Sequence, residues 1–481
     1  MKHLTFLCLL CLPLSLFAAP DVAQLRKDVG VLAADALEGR GIGTKGLDSA
    51  ASYIAQRMAQ IGLDPAFDGS YFQPFKMGWG FTLGEKNFLT YKDQTIDTKT
   101  GIMPTGFSAK GEVTGKVLFV GYGITAPEFE YDDYAGMDVN GAIVLCMRKE
   151  PGEFDSTNKF EGVNATLHSA LRTKASNAKQ HGAAAMLLVD GPLYADTSEV
   201  EELAAPATNE AYIDCGMPVL RITRAAVARL FPEFELDKLQ RSIDSNTQPR
   251  SLDVVEDSVT LSTDLSREEV DVKNVAGILR GGDNILVVGA HYDHLGYGQS
   301  GSLDEKLNVI HNGADDNASG VAGMLETASM LKAQPLNATV LFVAFTAEET
   351  GLGGSGHLVK NFPLPFENVR LMLNLDMVGR LNEKNDFTVL SCKSAEELAD
   401  LVTRAAVGTG LNITCKGDGY GPSDHMNFYL AEKPVLFFFT GAHADYHKST
   451  DDAELVNYDG EAKVVQLAVN VLRELDAPRV R

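Results

Sequence analysis

The sequence predicts an α/β fold, in which helices flank a mostly parallel sheet and a β-rich module is inserted into the chain. From about residue 270, helical stretches alternate with apolar runs, which are NILVVGA, ATVLFVAFTA, VRLMLNL and KPVLFFF. Because their hydrophobicity is continuous rather than alternating, these runs indicate strands that are buried on both faces. The middle of the chain differs, since short strands and turns dominate around KVLFVGYGI and NGAIVLCMRKE. We therefore predict a separate module there.

The predicted organisation has four parts. Residues 1–19 are typical of a secretory signal peptide, since a lysine and a histidine precede an apolar run that ends in small residues. Residues 20–107 and 261–481 form the α/β domain, and residues 108–260 form the insert. We therefore expect an exported protein, periplasmic or extracellular, without a membrane anchor.

Composition limits the partners of the protein. A net charge of −23 makes it a poor candidate for binding nucleic acid or an anionic membrane. No second apolar stretch is long enough to cross a bilayer. Export permits disulfides, and Cys392 and Cys415 are the pair closest in sequence after the signal peptide, although buried free thiols are an equal alternative.

Candidate metal ligands follow the apolar runs. Each run leads into histidines or carboxylates, namely His291 and Asp293, Glu348 and Glu349, Asp376, and His447. In open α/β sheets, ligands bind at the carboxyl ends of strands, so these side chains are placed to converge. Histidines and carboxylates without clustered cysteines suit two Zn²⁺ ions, for which Mn²⁺ or Co²⁺ can substitute.

The segment HNGADDNASG contains two adjacent aspartates that should repel each other, and such a pair is ordinarily a solvated turn. Two dications would turn this repulsion into attraction, and a two-metal site needs a shared carboxylate, a role that fits Asp315. Asp293 should point to the same face as His291 and accept its second N–H. One of Glu348 and Glu349 should bind metal and the other act as general base, and residue type alone does not assign them.

The ordered motifs HYDHLG, HNGADDNASG, TAEETGLGGSGH, LNLDMVG and YHKSTDD resemble those of the dinuclear-zinc aminopeptidases, metallopeptidase family twenty-eight. The bacterial leucyl aminopeptidase and aminopeptidase Y types belong to this family. The insert resembles a protease-associated (PA) domain in VGYGI, YDDYAGMDVNGAIVL and KQHGAAAMLLV. The resemblance implies a zinc-aminopeptidase fold with an inserted PA domain.

The resemblance also implies roles for single residues. Five would bind two zinc ions, with Asp315 shared between them, and these are His291, Asp315, Glu349, Asp376 and His447. Three others would assist catalysis, as general base, partner of His291 and carbonyl-polarising group, and these are Glu348, Asp293 and Tyr420. Relatives have a cis peptide bond after the shared aspartate, which is expected here between Asp315 and Asp316. His294 and His443 are close enough in sequence to replace the favoured histidines.

The function implied is hydrolysis of N-terminal residues from peptides with a free N-terminus. A carboxypeptidase, a dipeptidase or a glutaminyl cyclase are alternatives on the same fold, although the cyclases use one zinc and this chain has ligands for two. A receptor-like protein without catalysis would be expected to lack ligands or the base. The sequence has neither a GxSxG elbow at GLGGSGH nor an HExxH helix, which argues against serine hydrolases and thermolysin-type enzymes.

Overall fold

The computed structural model describes residues 19–153, 155–160, 162, 165–194, 203, 211–212, 214–298, 301–304 and 308–477. Residues 1–18 of the predicted signal peptide lie outside these ranges. Within them, no helix combines the length and the apolar character needed to cross a membrane.

The described residues contain helices and strands throughout the chain. The α-helices are α1 (Val22–Leu32), α2 (Lys45–Ile61), α3 (Leu171–Gln180), α4 (Arg224–Leu230), α5 (Leu236–Asn246), α6 (Gly320–Ala333), α7 (Gly353–Lys360), α8 (Leu398–Ala405), α9 (His425–Leu430) and α10 (Tyr458–Asp476). The strands are β1 (Asp64–Pro65), β2 (Phe72–Leu83), β3 (Phe88–Tyr91), β4 (Gln94–Asp97), β5 (Ile102–Pro104), β6 (Gly111–Val120), β7 (Thr125–Ala126), β8 (Tyr131–Asp132), β9 (Ile143–Met147), β10 (Ala185–Val189), β11 (Ala211–Tyr212), β12 (Val219–Ile222), β13 (Ser251–Thr263), β14 (Leu265–Leu279), β15 (Gly282–His291), β16 (Ala338–Phe345), β17 (Val369–Leu375), β18 (Asp386–Leu390), β19 (Asn412–Cys415) and β20 (Val435–Phe439).

The larger sheet has the strand order β11-β2-β14-β16-β15-β17-β20-β18-β19, and β1 pairs with β14. Its centre, β16-β15-β17-β20, is parallel and consists of the four predicted apolar runs. On either side the neighbouring strands are antiparallel, since β14 runs against β16 and β18 runs against β20. The sheet is therefore mixed, and its parallel part is the centre.

Helices cover both faces of this sheet. Along β15, Leu286 and Val288 pack into one apolar cluster, while Ile285 and Val287 pack into another on the opposite face. The first cluster includes residues of α1, α2, α6, α8 and α10, and the second includes residues of α7 and α9. Burial on both faces explains why these strands are continuously hydrophobic.

The insert has its own sheet, with the order β4-β3-β13-β6-β9-β10-β12-β5. This sheet begins at Phe88 and ends at Thr263, so the predicted boundaries 108–260 omit β3, β4 and β5. Leu89 and Ile96 of these strands are fully buried in an apolar cluster of the insert, which fixes them to this sheet. The chain enters the insert after β2 and returns to the larger sheet at β14. A hydrogen bond joins these two connections, in which the Gly84 N–H donates to the Asp264 carbonyl at 2.9 Å.

Of the two alternatives for the cysteines, the structure has the disulfide Cys392–Cys415. Cys415 is the last residue of β19, and Cys392 follows β18, the strand with which β19 pairs. Cys146 and Cys215 are free thiols in the insert.

Candidate metal centre

The centre lies where the four parallel strands end. His291 is the last residue of β15, and Asp376 follows β17 directly. Glu348 and Glu349 come three and four residues after β16, and His447 follows β20. Because β15 pairs in parallel with β16 and β17, and β17 with β20, their carboxyl ends share one edge of the sheet.

Asp316 lies between two groups of side chains. Its Oδ1 is 3.2 Å from His291 Nε2, which is also 3.3 Å from Asp376 Oδ1. Its Oδ2 is 3.3 Å from His447 Nε2, which is 3.2 Å from Glu349 Oε2. Each oxygen of one buried carboxylate therefore faces a different pair of one histidine and one carboxylate.

The carboxylate that faces both pairs is Asp316, whereas the sequence predicted Asp315 for this position. Asp315 Oδ1 accepts hydrogen bonds from Gly379 N at 2.6 Å and Ser319 Oγ at 3.0 Å, and its Oδ2 lies 3.2 Å from His443 Nε2. The two side chains diverge because the irregular turn Ala314–Ser319 places them in different surroundings. The cis peptide bond likewise lies between Asp316 and Asn317, not between Asp315 and Asp316.

The two favoured histidines present Nε2 to the carboxylates. His291 Nδ1 donates to the Asp293 carbonyl at 3.1 Å, and His447 Nδ1 donates to the Gly301 carbonyl at 2.7 Å. A backbone acceptor at Nδ1 fixes the tautomer that leaves Nε2 free to bind a metal. His294 is also here, with Nδ1 2.7 Å from Glu349 Oε1, whereas His443 pairs with Asp315 instead.

Asp293 differs from its predicted role. Its backbone carbonyl, not its carboxylate, is the hydrogen-bond partner of His291, since Oδ1 is 3.9 Å from Nδ1. Oδ1 instead accepts from the backbone N–H of Glu348 at 3.1 Å. Burial raises the pKa of Asp293 to about 6. The chain leaves the strand at His291, so the two side chains do not follow the strand alternation that the prediction assumed.

Tyr420 is not brought to the centre, and another tyrosine is. The Tyr420 ring packs against Tyr429 at 5.1 Å and is not part of the cavity wall. Tyr446 is buried, lines the cavity, and stacks on His447 with ring centroids 3.9 Å apart. Tyr446 was not predicted from the sequence, although its position directly before a predicted ligand was a usable signal.

Two further residues support the centre and were also missed. Ser423 Oγ donates to Asp376 Oδ2 at 2.7 Å, which orients that carboxylate. The buried Arg40 guanidinium donates to backbone carbonyls around the Asp316 turn, including Asn312 at 2.7 Å and Gly313 at 2.8 Å. Neither residue lies on an apolar run, so periodicity did not identify them.

Glu348 faces the same cavity but stands apart from the paired groups. Its neighbour Glu349 contacts both His294 and His447, whereas the Glu348 carboxylate forms no such ion pair with the residues that the structure describes. Burial raises the pKa of Glu348 well above its usual range; nearby His291 opposes this, and Glu349 and Asp376 add to it. A carboxylate that faces the cavity and is not held in one of these ion pairs is suited to proton transfer.

The electrostatics of the centre suit cations. Burial alone would lower the pKa of His291 and of His447, yet the surrounding carboxylates hold both pKa values well above the usual range. Two sets of residues each offer three ligand atoms that lie within 4.8 Å of one another. One set is His291, Asp316 and Asp376, and the other is His294, Asp316 and Glu349. Beside them, the buried His294 Nε2 has no hydrogen-bond partner among the described residues. Nitrogen and oxygen donors of this kind fit zinc.

A cavity of about 700 Å³ opens onto these residues. Its wall includes Asp316, Glu348 and His447 from the α/β domain. The insert also contributes to the wall, with Phe107, Arg148, Arg172 and Arg221 among the lining residues. The volume lies within the range of about 300–1,000 Å³ that is usual for small-ligand sites.

Comparison with known proteins finds two family models that match parts of this chain. Residues 274–472 match the model of peptidase family M28, and residues 104–230 match the PA domain model. These matches bear out the predicted resemblance and the predicted enzyme class, a peptide hydrolase with an inserted PA domain.

The similar proteins agree with this assignment. A probable lipoprotein aminopeptidase of Mycobacterium tuberculosis is 26% identical over 86% of this chain and 72% of its own length. An aminopeptidase of Pseudomonas aeruginosa is 27% identical over 72% of this chain, which spans 55% of that relative.

Two solved structures share the fold. The aminopeptidase from Aneurinibacillus sp. strain AM-1 is 20% identical, with a TM-score of 0.52, and the match covers 96% of this chain and 95% of that one. The zinc aminopeptidase from Bacillus subtilis is 21% identical, with a TM-score of 0.51 and coverage of 96% of both chains. The predicted α/β fold class is confirmed.

Proposed function

We propose that this protein is an exported zinc aminopeptidase of the M28 type that uses two metal ions and Glu348 as the general base. The observation that carries the proposal is Asp316, whose two oxygens face separate histidine–carboxylate pairs. The four similar proteins compared above are named as aminopeptidases, one of them as a probable one, and the one from Bacillus subtilis is named a zinc aminopeptidase.

The residues that would hold the metals form two sets that share Asp316. One set is completed by His291 and Asp376, and the other by Glu349 and His447, with His294 close to Glu349. When bound, two zinc ions would polarise a water molecule and the scissile carbonyl. Mn²⁺ or Co²⁺ would be expected to substitute, since the donors are nitrogen and oxygen atoms.

Glu348 would move the proton. Its carboxylate would accept a proton from the attacking water and pass it to the amine that leaves. Asp293 holds the backbone of Glu348 through the 3.1 Å hydrogen bond to its N–H, so the base is fixed relative to His291. The free N-terminus of a peptide would lie beside a metal and the carboxylates that line the cavity, which favours exopeptidase over endopeptidase cleavage.

Export is part of the proposal. It is supported by the signal-like sequence of residues 1–19 and is compatible with the disulfide Cys392–Cys415, since disulfides persist in oxidising compartments.

Hydrolysis of aminoacyl-nitroanilides tests the proposal, together with zinc analysis of the wild type and Glu348→Gln. We expect about two zinc ions per chain in both proteins. Loss of the base should lower kcat by roughly 10²–10⁴-fold. The exposed Glu432, which lies outside the cavity wall, provides a matched control as Glu432→Gln, with wild-type activity expected. Full activity in Glu348→Gln, or a wild type that binds no zinc, would contradict the proposed mechanism.

A further inference from the structure

The buried His294 contacts one of the candidate ligands but is not among the five that the two metals would share. Its Nδ1 donates a hydrogen bond to Glu349 Oε1 at 2.7 Å. The other oxygen of this carboxylate, Oε2, is 3.2 Å from His447 Nε2. The two oxygens of Glu349 therefore have different partners, and Oε2 is the one that faces the candidate ligand His447.

The carboxylate of the other set is held in the same way. Asp376 Oδ1 is 3.3 Å from His291 Nε2, and Asp376 Oδ2 accepts a hydrogen bond from Ser423 Oγ at 2.7 Å. In both sets, one carboxylate oxygen faces a histidine and the other accepts a hydrogen bond from an additional side chain. Two separate parts of the chain thus repeat one arrangement on either side of Asp316.

The His294 ring is fixed in its orientation by its surroundings. Its backbone N–H donates to the Arg40 carbonyl at 3.2 Å. The ring packs against Gly313, where φ is +54° and a Cβ atom would be 2.4 Å from His294 Cδ2, so this position requires glycine. The ring also meets His447 edge to face, with centroids 5.9 Å apart.

Nδ1 is the ring nitrogen that acts. It is 3.9 Å from Asp316 Oδ2 but 2.7 Å from Glu349 Oε1, so it is directed at Glu349. The buried Nε2 has no hydrogen-bond partner in the described part of the chain. A distance of 2.7 Å is typical of a charge-assisted hydrogen bond from nitrogen to a carboxylate.

We infer that His294 is a positioning residue that keeps Glu349 a one-oxygen ligand. Its Nδ1–H occupies Oε1 and leaves Oε2 for the ion that Asp316 and His447 would also hold. This inference rests on the proposed two-metal function and adds a residue that acts through Glu349. Without the hydrogen bond, Oε1 could also turn toward that ion. Glu349 would then fill the open position that a catalytic zinc site keeps for water or substrate.

The test measures zinc binding to the metal-free protein by competition with a chelating dye. The variants are His294→Ala, which removes the donor, and His294→Asn, which retains it, because the amide nitrogen of asparagine is as many bonds from the backbone as Nδ1. His357→Ala is the matched control, since His357 is half-buried, stacks on Phe75 and does not line the cavity. Thermal unfolding of the metal-free proteins shows which variants are folded.

We expect two zinc dissociation constants for the wild type and for His357→Ala. His294→Ala should raise one of them by roughly 10–100-fold and leave the other unchanged, and His294→Asn should stay close to the wild type. Ser423→Ala should raise the other constant, so the double variant with His294→Ala should raise both. At saturating zinc, His294→Ala should still lower kcat for nitroanilides by roughly 10–100-fold, with little change in KM.

Wild-type dissociation constants in a folded His294→Ala would overturn the inference. If His294→Ala does not fold, His294→Phe replaces it, because a phenyl ring fills the space without a donor. Equal weakening in His294→Ala and His294→Asn would also overturn it, since the imidazole itself would then be required, as a ligand.

Failure of the proposed function gives different results. A wild type that binds two zinc ions but cleaves no nitroanilide would refute the aminopeptidase activity, and the dissociation constants would still decide the role of His294. A wild type that binds fewer than two zinc ions would refute the two-metal site, and the inference with it.

Discussion

At the scale of single residues, the adjacent aspartates show what residue type and spacing cannot decide. Both neighbours are aspartate, so a pattern that predicts a shared carboxylate in HNGADDNASG does not choose between them. The choice is made by the backbone: Asp451 Oδ2 accepts the N–H groups of Asp315 at 2.9 Å and Asp316 at 3.0 Å, and the turn then directs their side chains apart. The same limit applies to Tyr420 and Tyr446, since tertiary packing decides which ring meets the cavity.

This difference predicts opposite behaviour for two conservative variants. Asp316→Asn should lose most bound zinc and lower kcat/KM by at least about 10²-fold, because an amide is a weaker ligand and carries no charge to share between the metals. Asp315→Asn keeps an acceptor for Gly379 N and Ser319 Oγ, so it should retain about two zinc ions. Zinc analysis of the purified variants decides the matter. Full zinc content in Asp316→Asn, or its loss in Asp315→Asn alone, would return the shared role to Asp315.

At the scale of secondary-structure elements, hydrophobic continuity predicted the strands that carry the centre. The four apolar runs correspond to β15, β16, β17 and β20, because strands buried on both faces must be apolar throughout. By contrast, β14 contains the charged stretch SREEVDVK and pairs antiparallel with β2 and β16, so the antiparallel side of the sheet had no comparable signal. The predicted boundaries 108–260 leave out β3, β4 and β5, which are only three or four residues long and so show little hydrophobic pattern.

The turn that carries Asp316 depends on a guanidinium from the short helical segment before α2. Arg40 is fully buried and donates to four carbonyls at 2.8 Å or less, those of Leu32, Tyr292, Asn312 and Gly313. A lysine cannot reach this number of acceptors, and each unsatisfied buried group costs about 1–3 kcal/mol.

Arg40→Lys should therefore lower the free energy of unfolding by about 3 kcal/mol or more, measured by urea denaturation. For nitroanilides, it should also lower kcat by a larger factor than it changes KM, since the turn holds Asp316. The exposed Arg280, which pairs with Asp64, gives a control in which Arg280→Lys changes stability by less than about 1 kcal/mol. Equal effects of the two substitutions would show that Arg40 does not secure the turn.

At the scale of the whole molecule, the centre connects parts of the chain that are far apart in sequence. Asp316, Glu349, Asp376 and His447 come from separate loops, and the N-terminal Arg40 holds the first of them. Buried carboxylates this close together repel each other, so cations that bind only the folded protein should stabilise its overall structure. The insert has separate apolar clusters and contributes arginines to the cavity wall instead of candidate ligands, so we expect its stability to depend little on the metals.

Removal of zinc with a chelator should accordingly lower the unfolding temperature of the α/β domain by several degrees. Binding at one hundred times the dissociation constant is worth about 2.7 kcal/mol for one site, and two sites add to this. Calorimetry with and without chelator measures the shift, and readdition of zinc should reverse it. Asp316→Asn supplies the matched control, because a protein that no longer holds the ions should unfold at the same temperature in both conditions. A chelator effect of equal size in Asp316→Asn would place the stabilising metal elsewhere in the molecule.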